Sequence, residues 1–240
     1  MTSTWPAGCS AVCFHPPTSR CPAGASGPTG NPQGWSAATS TTSSGRIQKG
    51  QWAFFLFGDV AGKGVAAAML VSHLCATFRA LAGSGPAVVE LVERINRFFR
   101  ESALSPLFAT LVCGRLEGDG QVELCVAGHC PPLVVGRHEV HTVQPTGLPV
   151  GTFYSSSYRS TSVRLEPDES LLLYTDGLSE AGDRTGNEYG SARLEALLTG
   201  PGPRAGHLLL DTVLADLFRH TSGGRPADDV SLMVLSREAT

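Results

Sequence analysis

Three acidic loops adjoin apolar runs in this sequence, and their residue types suit the binding of a hard cation. Asp59 lies in a glycine-rich turn after the apolar run 52–57, Asp176 follows the run 171–175, and Asp228 and Asp229 precede the run 230–235. A short apolar run bounded by turn residues is typical of a buried strand, so each carboxylate is expected at a strand end. Oxygen ligands without a Cys or His cluster favour Mg²⁺ or Mn²⁺ over Zn²⁺. Convergence of the three loops would therefore create a site for one of these cations.

Each loop also has a simpler interpretation when it is taken alone. Asp-Gly, as at Asp176, is a common turn, and Asp-Asp before a strand is usually a solvated loop. Gly58 and Gly177 would allow the backbone to approach a ligand closely, but glycine serves ordinary turns equally well. Only the order and context of the three loops favour the metal site.

The elements that would position these loops follow from hydrophobic periodicity. Helical spacing is found at about 64–82, after Pro86, and at about 190–199 and 204–220; strand patterns are found at about 51–58, 107–117, 121–127, 131–136, 138–143, 158–165, 169–175 and 229–236. Runs of neighbouring strands separated from helices indicate an α+β fold with mainly antiparallel sheets.

Collinear motifs beyond the acidic loops give the sequence a family resemblance. They are Gly58-Asp-Val-Ala-Gly-Lys-Gly64, Phe108-Ala-Thr-Leu-Val112, Ala127-Gly-His-Cys-Pro-Pro132, Gly147-Leu-Pro-Val-Gly151, Tyr174-Thr-Asp-Gly-Leu-Ser-Glu180 and Asp228-Asp-Val-Ser231. From about Gln51 to Leu235 the chain resembles the SpoIIE/RsbU branch of the metal-dependent PPM protein serine/threonine phosphatases. The resemblance implies two stacked sheets flanked by helix pairs, an αββα sandwich.

The same resemblance implies the roles of the site residues. Asp59 would bridge two Mn²⁺ or Mg²⁺ ions, and the carbonyl of Val60 would be a further ligand. Asp176 and Asp228 would complete the coordination of one of the ions. Asp229 is the second choice at that end, because only one of the pair should point inward. The implied reaction is hydrolysis of phosphoserine or phosphothreonine by a metal-activated water, and the implied partner is a phosphorylated anti-sigma-factor antagonist.

Two further residues in these motifs have more than one interpretation. His129 lies in a turn between strands, and a structural role is favoured over that of a general acid. Glu180, one helical turn after Asp176, would either position the loop and hydrogen-bond metal-bound water or be a solvated surface residue. No residue is assigned to an organic cofactor.

The composition limits the remaining classes of protein and compartment. The chain has 240 residues, 42% of them hydrophobic, and a formal net charge of -3, which gives no indication of nucleic-acid binding. No apolar run approaches the roughly 18 residues of a membrane span, and no secretory signal is found at the start. Seven cysteines without a Cys-x-x-Cys motif fit a reducing cytoplasm. A homodimer is left open.

The composition changes abruptly near Gln51. Residues 1–50 contain no Leu, Asp or Glu and show no hydrophobic period, so a disordered or loosely packed segment is expected there, with the phosphatase-type domain at 51–240. The branch carries Val-Gly-Gly-Asp-Phe-Tyr-Asp-Val-Phe upstream of Gly-Asp-Val, and its Gly-Gly-Asp carboxylate is a ligand of the second metal. Here that place reads Trp35–Ser44, without an acid.

A shift of reading frame would account for this difference. With serine codons of the TCN type, the neighbouring frame of Trp35–Ser44 is compatible with the whole missing string. Residues before about Gly45 are therefore interpreted as out of frame, with an ordinary disordered tail as the alternative. The domain is then expected to lack its first strand and one ligand, which leaves two functions open: an active phosphatase, or a catalytically impaired copy that still binds the partner.

Overall fold

The computed structural model describes residues 9–14, 34–40, 50–62, 64–101, 107–137, 139–152, 157–202, 206–224 and 226–237, and in the first two ranges the backbone alone. Ten strands form two antiparallel five-stranded sheets. The first sheet has the order β2-β3-β4-β5-β8, with β2 Gly34–Ser40, β3 Trp52–Val60, β4 Ala109–Glu117, β5 Gln121–Ala127 and β8 Thr161–Arg164. The second has the order β1-β10-β9-β6-β7, with β1 Cys9–Phe14, β10 Leu232–Arg237, β9 Ser170–Tyr174, β6 Leu133–Val135 and β7 Val140–Thr142.

Helices cover the outer face of each sheet. They are α1 Val65–Ala82, α2 Val88–Glu101, the single turn α3 Asp176–Ser179, α4 Ser191–Thr199 and α5 Gly206–His220. Helices α1 and α2 share a buried cluster with β3 to β5, and α4 and α5 share one with β6, β9 and β10. The layers are therefore helix, sheet, sheet, helix, as expected for the αββα sandwich.

The two central strands are buried on both faces, which explains their continuous apolar runs. In β3, Phe54 packs towards α1 and α2, whereas Phe55 packs between the sheets. In β9, Leu171 and Leu173 lie between the sheets and Leu172 faces α4 and α5. This double burial fixes the ends of β3 and β9, where Asp59 and Asp176 are found.

The first 50 residues contribute two edge strands. Residues Cys9–Phe14 pair with β10, and Gly34–Ser40 pair with β3, with Gly34 opposite Asp59. The expected disordered or loosely packed segment is thus extended and paired over these two stretches. A sheet edge pairs through main-chain N–H and C=O groups, so a strand can form there without a hydrophobic period. A strand is present next to β3, but its residues include no carboxylate.

Helix α1 is long and apolar enough to cross a membrane by length and composition, with a mean hydropathy of 1.6. This is weak evidence for a span, because Leu70, Leu74 and Phe78 are buried in the core against β3 and α2.

Candidate metal centre

Asp59 is the penultimate residue of β3 and lies opposite Thr110 on β4. Its Oδ1 accepts a 2.8 Å hydrogen bond from the backbone N–H of Val60, the next residue. Gly58 precedes it because no larger residue fits: a Cβ there would collide with the Thr110 carbonyl of the neighbouring strand. The half-buried carboxylate therefore stands on a strand held tightly to β4.

Asp176 is the first residue of α3, directly after β9, and its side chain is exposed. The backbone N–H of Glu180 donates to the Asp176 carbonyl at 2.8 Å, which closes the short helix. Gly177 allows close packing, since a Cβ at this position would collide with the carbonyl of Asp229. The start of α3 therefore lies directly against the Asp228–Asp229 segment.

Thr175 connects the second and third acidic loops. Its buried hydroxyl donates to the Asp229 carbonyl at 3.2 Å and accepts from the Ser231 N–H at 3.0 Å. The Thr175 N–H donates to the Ser231 carbonyl at 3.1 Å, so the β9–β10 pairing continues past Tyr174. The structure thus places Asp176 beside the Asp228–Asp229 pair, with Asp228 exposed and Asp229 half-buried.

The carboxylates of the second and third acidic loops act electrostatically on Asp59. Burial first, and then the negative charges of Asp176, Asp228 and Asp229, raise the pKa of Asp59 to about 6 against the opposing hydrogen bond from Val60. Asp176 has the largest effect of the three and Asp229 the smallest. Asp228 therefore acts more strongly on Asp59 than Asp229 does.

These carboxylates are neighbours, but they are not gathered into a finished site. Within the described parts of the chain, no three acidic, imidazole or thiol side chains are arranged to hold a metal ion. The donor chemistry fits a divalent cation: the groups are hard oxygen ligands, and the disfavoured ionised form of Asp59 would be stabilised by a positive charge.

Glu180 and Cys130 lie within electrostatic range of the same centre. Asp176 raises the pKa of the exposed Glu180 carboxyl. Burial, followed by the charge of Asp176, raises the pKa of the Cys130 thiol to about 11. Cys130 therefore stays a neutral thiol in the metal-free chain.

His129 is buried against Phe57 of β3 and Thr110 of β4. The ring is 5% exposed, its Nδ1 is 2.9 Å from the Thr110 hydroxyl, and its centroid is 5.4 Å from that of Phe57 in an edge-to-face contact. Burial lowers the pKa of His129 to about 4, against an opposing contact with the Tyr174 backbone. A neutral, enclosed imidazole suits support of β3 and β4 better than proton donation.

Sequence reasoning did not select Thr110, Thr175 or Cys130. The Thr175 hydroxyl bonds to residues 54 and 56 positions away, and Thr110 to one 19 positions away. Such contacts exist only after the sheets have formed. A polar residue directly after the apolar run of β9 was the one available signal for Thr175.

Comparison with known proteins supplies the family. The family described as stage II sporulation protein E (SpoIIE) matches residues 48–238. Protein IcfG of Synechocystis sp. is 30% identical over 133 residues, which are 55% of this chain and 21% of that protein. Phosphoserine phosphatase RsbU of Bacillus subtilis is 25% identical over 134 residues, 55% of this chain and 39% of that protein. The chain thus spans well under half the length of these curated relatives.

Solved structures agree on the fold. The RsbU and RsbW domains of a Mycobacterium tuberculosis protein superpose with a TM-score of 0.73 at 26% identity, covering 99% of this chain and 62% of that one. The PP2C phosphatase domain of SpoIIE from Bacillus subtilis gives a TM-score of 0.74 at 17% identity, covering 97% of this chain and 62% of that one. The family match extends over most of the chain and begins where the composition changes, and this chain therefore belongs to the SpoIIE family, with the fold of a PP2C-type phosphatase domain.

Proposed function

We propose that the domain is a metal-dependent protein phosphatase that hydrolyses phosphoserine or phosphothreonine. The observation that carries the proposal is the raised pKa of Asp59: besides burial, the negative charges of two other acidic loops act on this half-buried group. Such a concentration of negative charge disfavours folding of the metal-free chain, and a bound cation would offset this cost. Membership of the SpoIIE family and the names of the phosphatase relatives support this chemistry.

In this proposal each residue has a separate task. Asp59 holds the cation from the end of β3, the Val60 carbonyl adds a neutral oxygen, and Asp176 and Asp228 hold the same ion from the opposite sheet. Asp229 stays the second choice. A bound Mn²⁺ or Mg²⁺ would activate a water for attack and neutralise charge on the phosphoryl oxygens. No protein nucleophile is needed, and Glu180 would accept a hydrogen bond from water at the centre or stay a solvated surface residue.

The substrate we propose is a phosphorylated anti-sigma-factor antagonist in a bacterial regulatory pathway. Support comes from the motif resemblance and from similarity to RsbU and to a structure that contains RsbU and RsbW domains. We place the domain in the cytoplasm, because the buried Cys113 and Cys125 and the half-buried Cys130 are free thiols. Cys113 and Cys125 even face each other across β4 and β5 without a disulfide, which fits a reducing compartment.

One observation favours a second function, that of an impaired copy that only binds the phosphorylated partner. The strand beside β3 carries no carboxylate, so the ligand of a second metal is missing from it. A single ion cannot clamp both the attacking and the leaving oxygen as a pair of ions does.

The test is phosphate release from p-nitrophenyl phosphate and from a phosphoserine peptide, with Mn²⁺ and with excess chelator. The proposal predicts turnover that needs Mn²⁺ and is lost in Asp59→Asn and Asp176→Asn. Asp211→Asn, which removes an exposed carboxylate from α5, is the matched control and should keep its activity. Turnover in chelator, or in either of the first two variants, would refute the assignment. Mn²⁺ binding without turnover would favour the impaired copy.

A further inference from the structure

A buried carboxylate outside the candidate metal centre forms the middle of a polar cluster. Asp216 on α5 is 8% exposed and accepts hydrogen bonds from the Tyr189 hydroxyl at 2.9 Å, from Arg193 at 2.8 and 3.2 Å, and from Arg219 at 3.0 Å. The bonds from Arg193 hold the pKa of Asp216 at about 2, so the group is ionised. A charge this buried requires such partners, and Arg193 is thereby held in one orientation.

Arg193 in turn orients His220, the last residue of α5. Its Nη1 lies 3.3 Å from His220 Nδ1, while His220 Nε2 lies 3.1 Å from the carbonyls of both Ala181 and Asn187. A guanidinium only donates and a carbonyl only accepts, so Nδ1 must accept and Nε2 must carry the proton. The network therefore selects one neutral tautomer, whose N–H joins the two ends of the segment 181–187.

That segment follows α3 directly and returns to it. The Tyr189 N–H donates to the Ala181 carbonyl at 2.9 Å, and the Gly190 N–H donates to the Ser179 carbonyl at 2.8 Å. Tyr189 is buried, and its ring meets that of His220 edge to face at 5.4 Å. Residues 179–190 thus form a closed loop that is fastened to α5 at its base and that begins within α3, the helix that carries Asp176.

We infer that Asp216 and His220 are positioning residues that fix this loop and thereby hold Asp176 and Glu180 in place for cation binding. The inference rests on the metal centre proposed above. Residues behind a metal ligand commonly change metal affinity by about 10-fold to 100-fold when they are replaced. The cluster would act in this way across the loop, with no contact to the ion.

The experiment is a calorimetric Mn²⁺ titration of His220→Phe, His220→Gln and the unchanged protein. Phe keeps a ring against Tyr189 but loses the N–H donor of His220. The Ala181 carbonyl still accepts from the Tyr189 N–H, and the Asn187 carbonyl from the Asp183 N–H. The variant should therefore fold. We expect Mn²⁺ affinity to fall about 10-fold in His220→Phe. Gln restores an N–H donor and should regain most of the affinity.

Arg219→Ala is the matched control. Arg219 also bonds Asp216, but its largely exposed side chain makes no hydrogen bond to the described loop 179–190, so Mn²⁺ affinity should be unchanged. Hydrogen exchange at the Tyr189 and Gly190 amides should quicken in His220→Phe alone. If His220→Phe does not fold, Arg193→Gln, which removes the group that orients His220, should weaken Mn²⁺ binding in the same direction.

The outcomes separate this inference from the proposed function. Unchanged Mn²⁺ affinity in folded His220→Phe, or equal weakening in Arg219→Ala, would overturn the positioning role while leaving the metal centre intact. Failure of the unchanged protein to bind Mn²⁺ would instead overturn the metal centre, and with it the inference.

Discussion

At the scale of single residues, Asp59 combines partial burial with three negatively charged neighbours. Its pKa in the folded protein is about 6, against 3.8 as the ordinary value. Between these two pH values the unfolded chain loses its proton first, so the free energy of unfolding of the metal-free protein falls as pH rises. The full penalty is present above pH 6 and absent below pH 3.8. Asp59 therefore lowers the stability of the metal-free protein near neutral pH.

Asp59→Asn should for this reason stabilise the metal-free protein near pH 7. We expect a gain on the order of 1 kcal/mol after allowance for solvent screening, shrinking to nothing near pH 4. Urea unfolding in chelator at both pH values measures it. Asp211→Asn, a charge-matched change on the exposed face of α5, should show no such pH-dependent gain. A variant at Asp59 no more stable than the parent at pH 7 would contradict the electrostatic account.

His129→Ala should act on stability rather than on chemistry. It removes a buried ring from Phe57 and leaves the Thr110 hydroxyl without its partner, at a cost of about 2–4 kcal/mol. Thermal unfolding should show a lower Tm, with any lost activity proportional to the loss of folded protein. His141→Ala, at an exposed position, is the comparison and should change little. A large rate loss at unchanged stability, with a shifted acid limb of the pH profile, would show that His129 is a general acid.

At the scale of elements, the join between β9 and β10 sets the distance between Asp176 and Asp228. Thr175→Val keeps the shape of the side chain but removes the hydroxyl that bonds Ser231 and Asp229. Since a buried backbone N–H then loses its partner, we expect a loss of about 1–3 kcal/mol and weaker Mn²⁺ binding. Thr212→Val, whose hydroxyl bonds a helix carbonyl on α5, should stay within about 0.5 kcal/mol. Equal effects of the two changes in urea unfolding would deny Thr175 its linking role.

The same scale shows what the sequence could predict. Runs such as 52–57 and 171–175 were recognisable as strands because both of their faces are buried and therefore apolar. The helices α1, α2, α4 and α5 were recognisable because their apolar residues recur at helical spacing. The single turn α3 was missed, since four residues are too few to show a helical spacing of apolar residues and the turn is fixed by contacts with Asp229. Strands β1 and β2 were missed because a sheet edge pairs through the backbone, whatever the side chains.

The candidate site was predictable in part for a related reason. The motifs around Asp59, Asp176 and Asp228 lie at strand ends, and the structure brings these ends to one region. The Asp216–His220 cluster left no such pattern, because Tyr189, Arg193 and Asp216 are joined only by the packing of α4 against α5. Arg193 and Asp216 are ordinary polar residues of two helices, and Tyr189 is an ordinary loop residue, until the fold is known.

At the scale of the whole molecule, β3 has a neighbouring strand on each side, and the strand β2 on one side contains no carboxylate. We propose that the out-of-frame interpretation of residues before about Gly45 explains this, with an ordinary tail as the alternative. Replacing residues 1–44 by the alternative-frame peptide would supply a carboxylate on the strand beside β3. Turnover should then rise by orders of magnitude, because a second ion completes the clamp on the phosphoryl group. Stability should rise as well, through a strand with a regular apolar pattern.

Parallel phosphatase assays and thermal unfolding of the two chains measure both effects. Equal activity and equal Tm would mean that residues 1–44 are a genuine beginning of this domain and that no ligand is missing.

The central claim is that Asp59, Asp176 and Asp228 form a single cation site in the chain as it stands. Isothermal titration with Mn²⁺ near pH 7, on the unchanged protein and on Asp59→Asn, tests it most directly. The account predicts saturable binding of one Mn²⁺ per chain, abolished in Asp59→Asn while circular dichroism shows an intact fold. Absence of binding to the unchanged protein, or undiminished binding to Asp59→Asn, would contradict it.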